Sequence, residues 1–567
     1  MPRLPWTPSS YTGRSTAFES QRLINLYPEL ATAPNEKGVG MLVGVPGKRL
    51  FAAGIASPLR GMINFNGILY SVQSNRLILT FANGTTSAVG TLGTSTGRVS
   101  MAQNGLLSRG IGGNQICIVD GVNGYIYNVN YNIWTPIPLG VLPDTPSHVE
   151  YIDGYFIITN GTMNAYASDL YDGLTWNPIA TTPVQAAPDN VANLINLHEQ
   201  LFFIKEYTTE VFYNNATATS LGFPFSRLSG TVIDYGTPAP WSVARGNGSI
   251  FFLANERDNN GPCFIGVVEL NGYTPTPIAP QSIVNKMSKS ADLSQCFGYT
   301  YSDEGHTFYV VTSPVDDWTF VYDATTQMWH ERSTNNGADD HIHRDIANDY
   351  VRYNNMHVVG DGVTGNLYEV SSKFYTDAGI PIVSEQITQH VVDGNGLDDL
   401  FIDELQIDIE AGVGSNDVNV PAIGTSVITA GVVTMITITY NGADYITAPT
   451  VLISSVDGNG TGASATATVT YGSVTTVTVD HGGSGYTIAP TVTFISGEII
   501  PAAGLSLSKD GGKTWGAESI RSMGKVGEYR KRLLWRSLGR CKDRVFRLRI
   551  SSPVKRIIMG WYVDGSR

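Results

Sequence analysis

The sequence predicts an all-β chain: a β-propeller with an additional split β-sandwich-like platform domain and an inserted two-repeat β domain. Three observations carry this. Gly (61) and Tyr (28) are plentiful while charged residues make up only 15%, and Thr, Val, Ile, Tyr and Asn fill the apolar stretches, a balance that suits many short strands joined by tight turns. Short alternating strands meet Asn-Gly or Asp-Gly pairs again and again, and these pairs suit type I′ turns because both central residues need φ > 0. One stretch, Ile436–Ile453, recurs as Val477–Phe494 at an offset of 41 residues.

With 567 residues and 42% hydrophobic content, the chain exceeds what one core usually holds, so two to four domains are expected. Residues 1–50 show little periodicity and many turn formers (Pro5, Pro8, Gly13, Pro28, Pro34, Gly44, Pro46, Gly47). They read as an extended N-terminal docking arm lying on another surface. Residues 51–380 read as the propeller. Its hairpins include Met62–Tyr70, Ile116–Tyr127, Val149–Ile158, Leu194–Phe203 and His357–Glu369. Such units recur at irregular intervals about seven times, as blades that bury their faces only by stacking on neighbours.

Residues 381–414 and 501–567 read as one platform domain, split by an insertion at 415–500. The insert is the tandem repeat, and insertions are tolerated at loop tips. From Phe374 through Ser508 there is no Lys or Arg against fourteen Asp/Glu. From Lys513 to Arg567 there are fifteen Lys/Arg against four acids, a formal +11, and everything before carries −24. An acidic body with a basic end suggests two different partners.

Met1–Ser10 lacks a basic segment followed by an apolar core, so Sec export is not expected. No apolar run approaches the roughly 18–20 residues that cross a bilayer. Cys117, Cys263, Cys296 and Cys541 are far apart and read as buried free thiols.

Ser508-Lys-Asp-Gly-Gly-Lys-Thr-Trp515 fits the Asp-box hairpin of sialidase-like propellers. There the Asp caps the turn and the Trp packs beneath. A glycosidase would repeat the box and add a carboxylate pair, so no enzyme is expected. Asp339-Asp340-His341-Ile-His343 could hold a metal through two histidines on one strand face, but reads better as a polar loop. The glycine pairs sit in hairpins rather than between strand and helix, so no phosphate-binding loop and no cofactor are expected.

The basic end offers the candidate site: Arg530, Lys531, Arg532, Arg536, Arg540 and Arg544. Phosphate contact is one reading. A protein interface with an acidic neighbour, including another copy's 374–508 stretch, is the other. The interface is favoured, because the −24 carried by the rest of the chain works against phosphate contact.

Ser10-Tyr-Thr-Gly-Arg-Ser15 with Gln21–Glu29 resembles the opening of the phage packaged-DNA stabilisation protein family, the tail hub or nozzle proteins of short-tailed phages. Gly44-Val-Pro-Gly47, Ser168–Trp176, Thr209–Asn214, Trp329-His-Glu-Arg332, Phe401–Gly414 and Trp535–Arg540 continue the likeness in order. It covers nearly the whole chain except about 415–500. The resemblance implies a homo-oligomeric, six-fold ring in the virion tail, assembled in the host cytoplasm. Such a ring sits below the portal and its adaptor, retains packaged duplex DNA, conducts it on ejection, and docks tail tip, needle or fibres. The rival readings are a carbohydrate-active propeller enzyme and a receptor-binding tail protein. The latter would more naturally carry a β-helical or coiled-coil stem.

Overall fold

A computed structural model describes all residues except 1–2, 5–8, 11, 36–37, 106–112, 139, 259–260, 336–342, 393–398, 414–420, 443–444, 446–447, 471–472, 496–500 and 567. Strands make up 57% and helix 3%, so the chain is all-β. It divides into two compact units, Leu50–Gln327 with Arg344–Glu369, and Met1–Arg49 with Met328–His343 and Val370–Arg567.

The first unit is a propeller. Successive antiparallel sheets begin at Leu59, Ser100, His148, Val191, Tyr235, Phe297 and Ala347. Apolar residues of neighbouring sheets meet in shared cores. Tyr70 and Val72 of the first sheet pack with Ile116 and Ile118 of the second. Phe156 and Ile158 of the third pack with Cys117 and Val119 of the second. Ile204 and Val211 of the fourth pack with Phe252 and Val268 of the fifth. Among the described residues each of these cores is shared between neighbouring blades, which is why the fold must close on itself. It closes where Ala52 and Leu59 pack with Tyr353, Val358 and Leu367. Asn348 Nδ2 donates to the Leu59 carbonyl at 2.7 Å, and Arg98 Nη2 to the Asn348 carbonyl at 2.7 Å.

The hairpin turns follow the residue chemistry. Asn66-Gly67 (φ 51° and 70°) and Asp153-Gly154 (50° and 93°) both sit in the left-handed region, as a type I′ turn requires. His198-Glu199 and Asn354-Asn355 adopt the same conformation without glycine. A second device recurs where one strand hands over to the next. Asp172, Asp323 and Asp361 each accept the N–H two residues on (Leu174, Thr325, Val363) with one oxygen. With the other they accept the hydroxyl of the threonine three residues on (Thr175, Thr326, Thr364). The repeated Asp-x-x-Thr satisfies a turn N–H that a tighter loop would leave bare.

The second unit is a sandwich with a further sheet. One layer runs Met328–Glu331, Arg22–Ile24, Ser384–Ile387, Asp543–Ile550, Ala502–Ser508, Ser519–Ser522. The other runs Leu26–Asn35, Gly38–Gly44, Ile557–Ser566, Leu400–Ile409, Leu533–Cys541. Leu505, Phe546, Leu548 and Ile550 from the first layer and Leu405, Ile407, Leu533 and Trp561 from the second form one core. Trp561 Nε1 donates to Gln386 Oε1 at 2.9 Å across it.

Of residues 1–50, expected to be an arm lying on another surface, the strands Arg22–Ile24, Leu26–Asn35 and Gly38–Gly44 are instead woven into the two layers. Leu23 and Leu26 are buried, and Asn25 between them, at φ 54°, moves the chain from one sheet to the other. Its side chain donates to the carbonyls of Ser333 (2.9 Å) and Val383 (2.8 Å). The frequent turn formers hid this short-strand pattern. Met328–Glu331, expected within the propeller, also joins the sandwich. It pairs parallel with Arg22–Ile24, and Arg22 grips Glu331 with two nitrogens at 2.7 and 2.5 Å.

Residues 423–495 form a separate six-stranded sheet. In order it runs Val432–Tyr440, Ile423–Thr429, Thr491–Ile495, Thr450–Ser454, Thr461–Thr470, Ser473–Ser484. Among the described residues its core comes from residues 422–494, led by Val433, Ile436, Tyr445, Val474, Tyr486 and Phe494. The 41-residue repeat becomes a pseudo-two-fold axis. Thr450–Ser454 and Thr491–Ile495, equivalent strands, lie antiparallel, with Leu452 opposite its own counterpart Thr493. Tyr445 Oη accepts the Ala422 N–H and Tyr486 Oη accepts the Ala463 N–H, each pair 41 residues from the other. Gly442 and Gly483 (φ 64° and 65°) are also equivalent, and a Cβ at either would meet backbone at 2.6 and 2.4 Å.

Cys117, Cys296 and Cys541 are buried, as expected, but Cys263 is exposed. It lies on the strand Gly261–Asn271.

Candidate interface: the basic C-terminal strands

The basic residues lie on Leu533–Cys541, on the turn before it and on the strand after it. A bulge decides where they point: Ile402 pairs with Gly539 and Glu404 with Arg536, so two residues oppose one. Ser537 (φ 57°) and Gly539 (φ 81°) supply the left-handed backbone this needs.

On the outer side the strand faces the acidic Leu400–Ile409. Arg532 Nε lies 3.5 Å from Asp408, Arg536 Nε lies 2.7 Å from Glu404, and Arg540 pairs with Asp399. Three of the six candidates are therefore rungs of a cross-strand ion-pair ladder within the chain. The arginines are well exposed, so each pair contributes only about 0–1 kcal/mol. Their effect is to neutralise the basic strand. Arg544 is buried. Its guanidinium donates to the carbonyls of Leu538 (3.4 Å) and Arg540 (3.1 Å), which corrects its place among surface residues. On Asp543–Ile550 Arg547 and Arg549 alternate with the buried Phe546 and Leu548, and Arg547 turns to Glu385 at 3.9 Å and stacks over Trp515 at 4.7 Å. Burial pushes the Glu385 carboxyl up, and Arg547 and Arg22 oppose this.

Arg530 and Lys531 remain. They sit exposed on the turn 524–532, with Val526 and Tyr529 exposed beside them. The turn is held by Gly527 N–H to the Gly412 carbonyl (3.1 Å) and by the Glu528 side chain accepting from the Lys525 N–H (3.0 Å). The structure thus separates residues that the sequence grouped together. The acidic 374–508 stretch, expected as a partner from another copy, supplies Asp399, Glu404 and Asp408 to these arginines within the same chain.

The Asp box forms as its motif requires. Asp510 accepts from the N–H groups of Lys513 (3.0 Å) and Thr514 (2.9 Å), and from the hydroxyls of Ser508 (2.7 Å) and Thr514 (2.6 Å). The Thr514 and Ser508 bonds hold its carboxyl well below the ordinary range. It is a turn device on the sandwich. Of the Asp339–His343 stretch only His343 lies within the described residues. Among the described residues no group of three His, Cys, Asp or Glu is placed to hold a metal ion.

Two family models match this chain: the bacteriophage P22 Gp10 β-propeller over residues 3–375, and the bacteriophage P22 Gp10 β-sandwich over residues 475–566. Propeller and sandwich together define a phage structural protein of the kind that stabilises packaged DNA. The chain belongs to the bacteriophage P22 Gp10 family. The sandwich match starts within the inserted sheet and takes in its last two strands.

Solved structures similar to the chain include YCF48 bound to D1 peptide, at 13% identity, covering 58% of this chain and 99% of that one, TM-score 0.35. The N-terminal domain of Nup159 is similar at 10% identity, 60% and 98% coverage and TM-score 0.34. The computationally designed Ika8 protein is similar at 11% identity, 62% and 99% coverage and TM-score 0.33. No curated protein matches the chain.

Proposed function

We propose that this chain is the tail hub or nozzle subunit of a short-tailed phage. It acts as a ring-forming conduit that extends the portal channel, retains packaged DNA, conducts it on ejection and docks tail tip, needle or fibres. The observation that carries the reading is the family match across both propeller and sandwich. The charge pattern supports the conduit role. The body before the basic end carries −24, and Arg532, Arg536 and Arg540 of that end are already paired with carboxylates. This pairing lowers the cationic surface that could hold phosphate, and the acidic body opposes it, so DNA is retained by a plug and not by a grip.

The subunit is a non-enzymatic part of the virion tail at the portal vertex, assembled in the host cytoplasm, with portal and adaptor as neighbours and six copies per ring. No helix among the described residues is long and apolar enough to cross a membrane. Head-to-tail contacts that fit close into rings. Mixed with its adaptor, the purified chain is expected to give one defined mass, with six copies. A continuous ladder of sizes would refute the ring.

A further inference from the structure

The inserted sheet carries its own internal control. Its two repeats share the positions that build the core: Val433 with Val474, Tyr445 with Tyr486, Gly442 with Gly483. On the outer face they differ systematically. The first repeat exposes Ile423, Val427, Met435, Tyr440 and Leu452. The second places Ser464, Thr468, Thr476, His481 and Thr493 at the equivalent positions. Ile495, the one large apolar residue exposed on the second repeat's third strand, lies diagonally beside Ile423 and Leu452, because Thr493 pairs with both.

One half of the face is therefore an apolar patch, with Ile423 and Met435 each 52% exposed. The other half is hydroxyl-rich. The fold does not require the patch, since the same backbone is built with Ser and Thr. A contiguous exposed apolar patch rimmed by polar residues marks an interaction surface. Strand addition at the sheet's ends is not the mode. Tyr486 N–H donates to the Gly431 carbonyl and Val474 N–H to the Asn441 carbonyl, which ties the two end strands together.

We propose that this half-face docks onto the turn 524–532 of a second copy of this chain. Charge selects the occupant. Residues 415–500 carry five acids and no Lys or Arg, so nucleic acid, an acidic polymer or a second inserted sheet is repelled. The turn 524–532 has the complementary character: four Lys/Arg against one Glu, with Val526 (73%) and Tyr529 (75%) exposed between them. Both surfaces are exposed within one chain, so neither covers the other there. A contact between two different patches is head-to-tail and generates a ring when it closes. This inference rests on the ring reading above and names the contact that joins its members.

The test uses the full-length chain. Ile423→Cys and Val526→Cys are introduced together in a Cys263→Ser background and the assembled tails are oxidised. The expected result is a covalent ladder of chains ending at the ring's copy number, absent from either single variant. Rings that form yet give no ladder overturn this docking and leave the ring reading intact. Failure of the unmodified chain to form rings overturns both. A second variant carries the second repeat's own residues, Ile423→Ser, Met435→Thr and Leu452→Thr. It is expected to keep its thermal transition while ring contacts weaken by about tenfold or more. Unchanged assembly of that variant would also overturn the docking.

Discussion

His148 is fully buried, lies 4.5 Å from Trp241 ring to ring, and neither of its nitrogens has a hydrogen-bond partner among the described residues. Burial lowers its pKa from the ordinary 6.5 to about 4. In the unfolded chain the ring takes a proton as pH falls through 6.5, while in the propeller it stays neutral down to about 4. The unfolded state therefore binds more protons in that window. The histidine's contribution is fully present above pH 6.5 and is lost on acidification, by about 3 kcal/mol at pH 4. Replacing His148 with Phe, of similar shape and no charge, should flatten this part of the propeller's stability curve in denaturant titrations between pH 7 and 4. An unchanged slope would mean that the ring is already protonated when folded. At the same scale, Asn25 shows how a single left-handed residue routes a chain. One φ of 54° hands it from one sandwich layer to the other.

At the scale of elements, the ion-pair ladder predicts a swap. Arg536→Glu places a like charge opposite Glu404, and should lower the sandwich unit's stability by several tenths of a kcal/mol up to about 1. Adding Glu404→Arg restores the pair and should recover most of the loss. If the double variant is no better than the single one, the ladder does not form in solution. The inserted sheet predicts a deletion. Its strands pair only with one another among the described residues, and its core is self-contained. Replacing 415–500 with a short Gly/Ser link should therefore leave the main thermal transition in place, since loop closure costs little with changing length. Loss of that transition would show that the sheet supports the sandwich.

At the scale of the whole molecule, the question is what the excess charge does. Reversal of Arg530 and Lys531 to Glu is expected to abolish assembly onto the tail and barely change affinity for duplex DNA. The long-range field of the acidic body already opposes DNA, and only nearby cations could offset it after screening. Were the basic end a DNA clamp, the free chain would bind duplex with log K falling by about 0.9 per phosphate contacted against log salt. The same reversal would remove that binding. Salt titration of the unmodified and reversed chains separates the two outcomes.

The all-β class, the hairpins at Asn66-Gly67 and Asp153-Gly154, the Asp box and the two-repeat insert were all legible in the residues. Each is written in neighbouring residues: alternation of period two, a pair tolerant of φ > 0, a side chain that bonds within four positions, a copied segment. Tertiary structure alone decided what depends on partners far apart in the chain. Leu23 and Leu42 became sandwich core because strands from residues 384–387 and 557–566 lie beside theirs. Arg532, Arg536 and Arg540 turned from a free basic patch into paired rungs because Leu400–Ile409 is their neighbour, more than 120 residues away. Charge and burial are properties of surroundings, and β-pairing brings surroundings together without regard to distance along the chain.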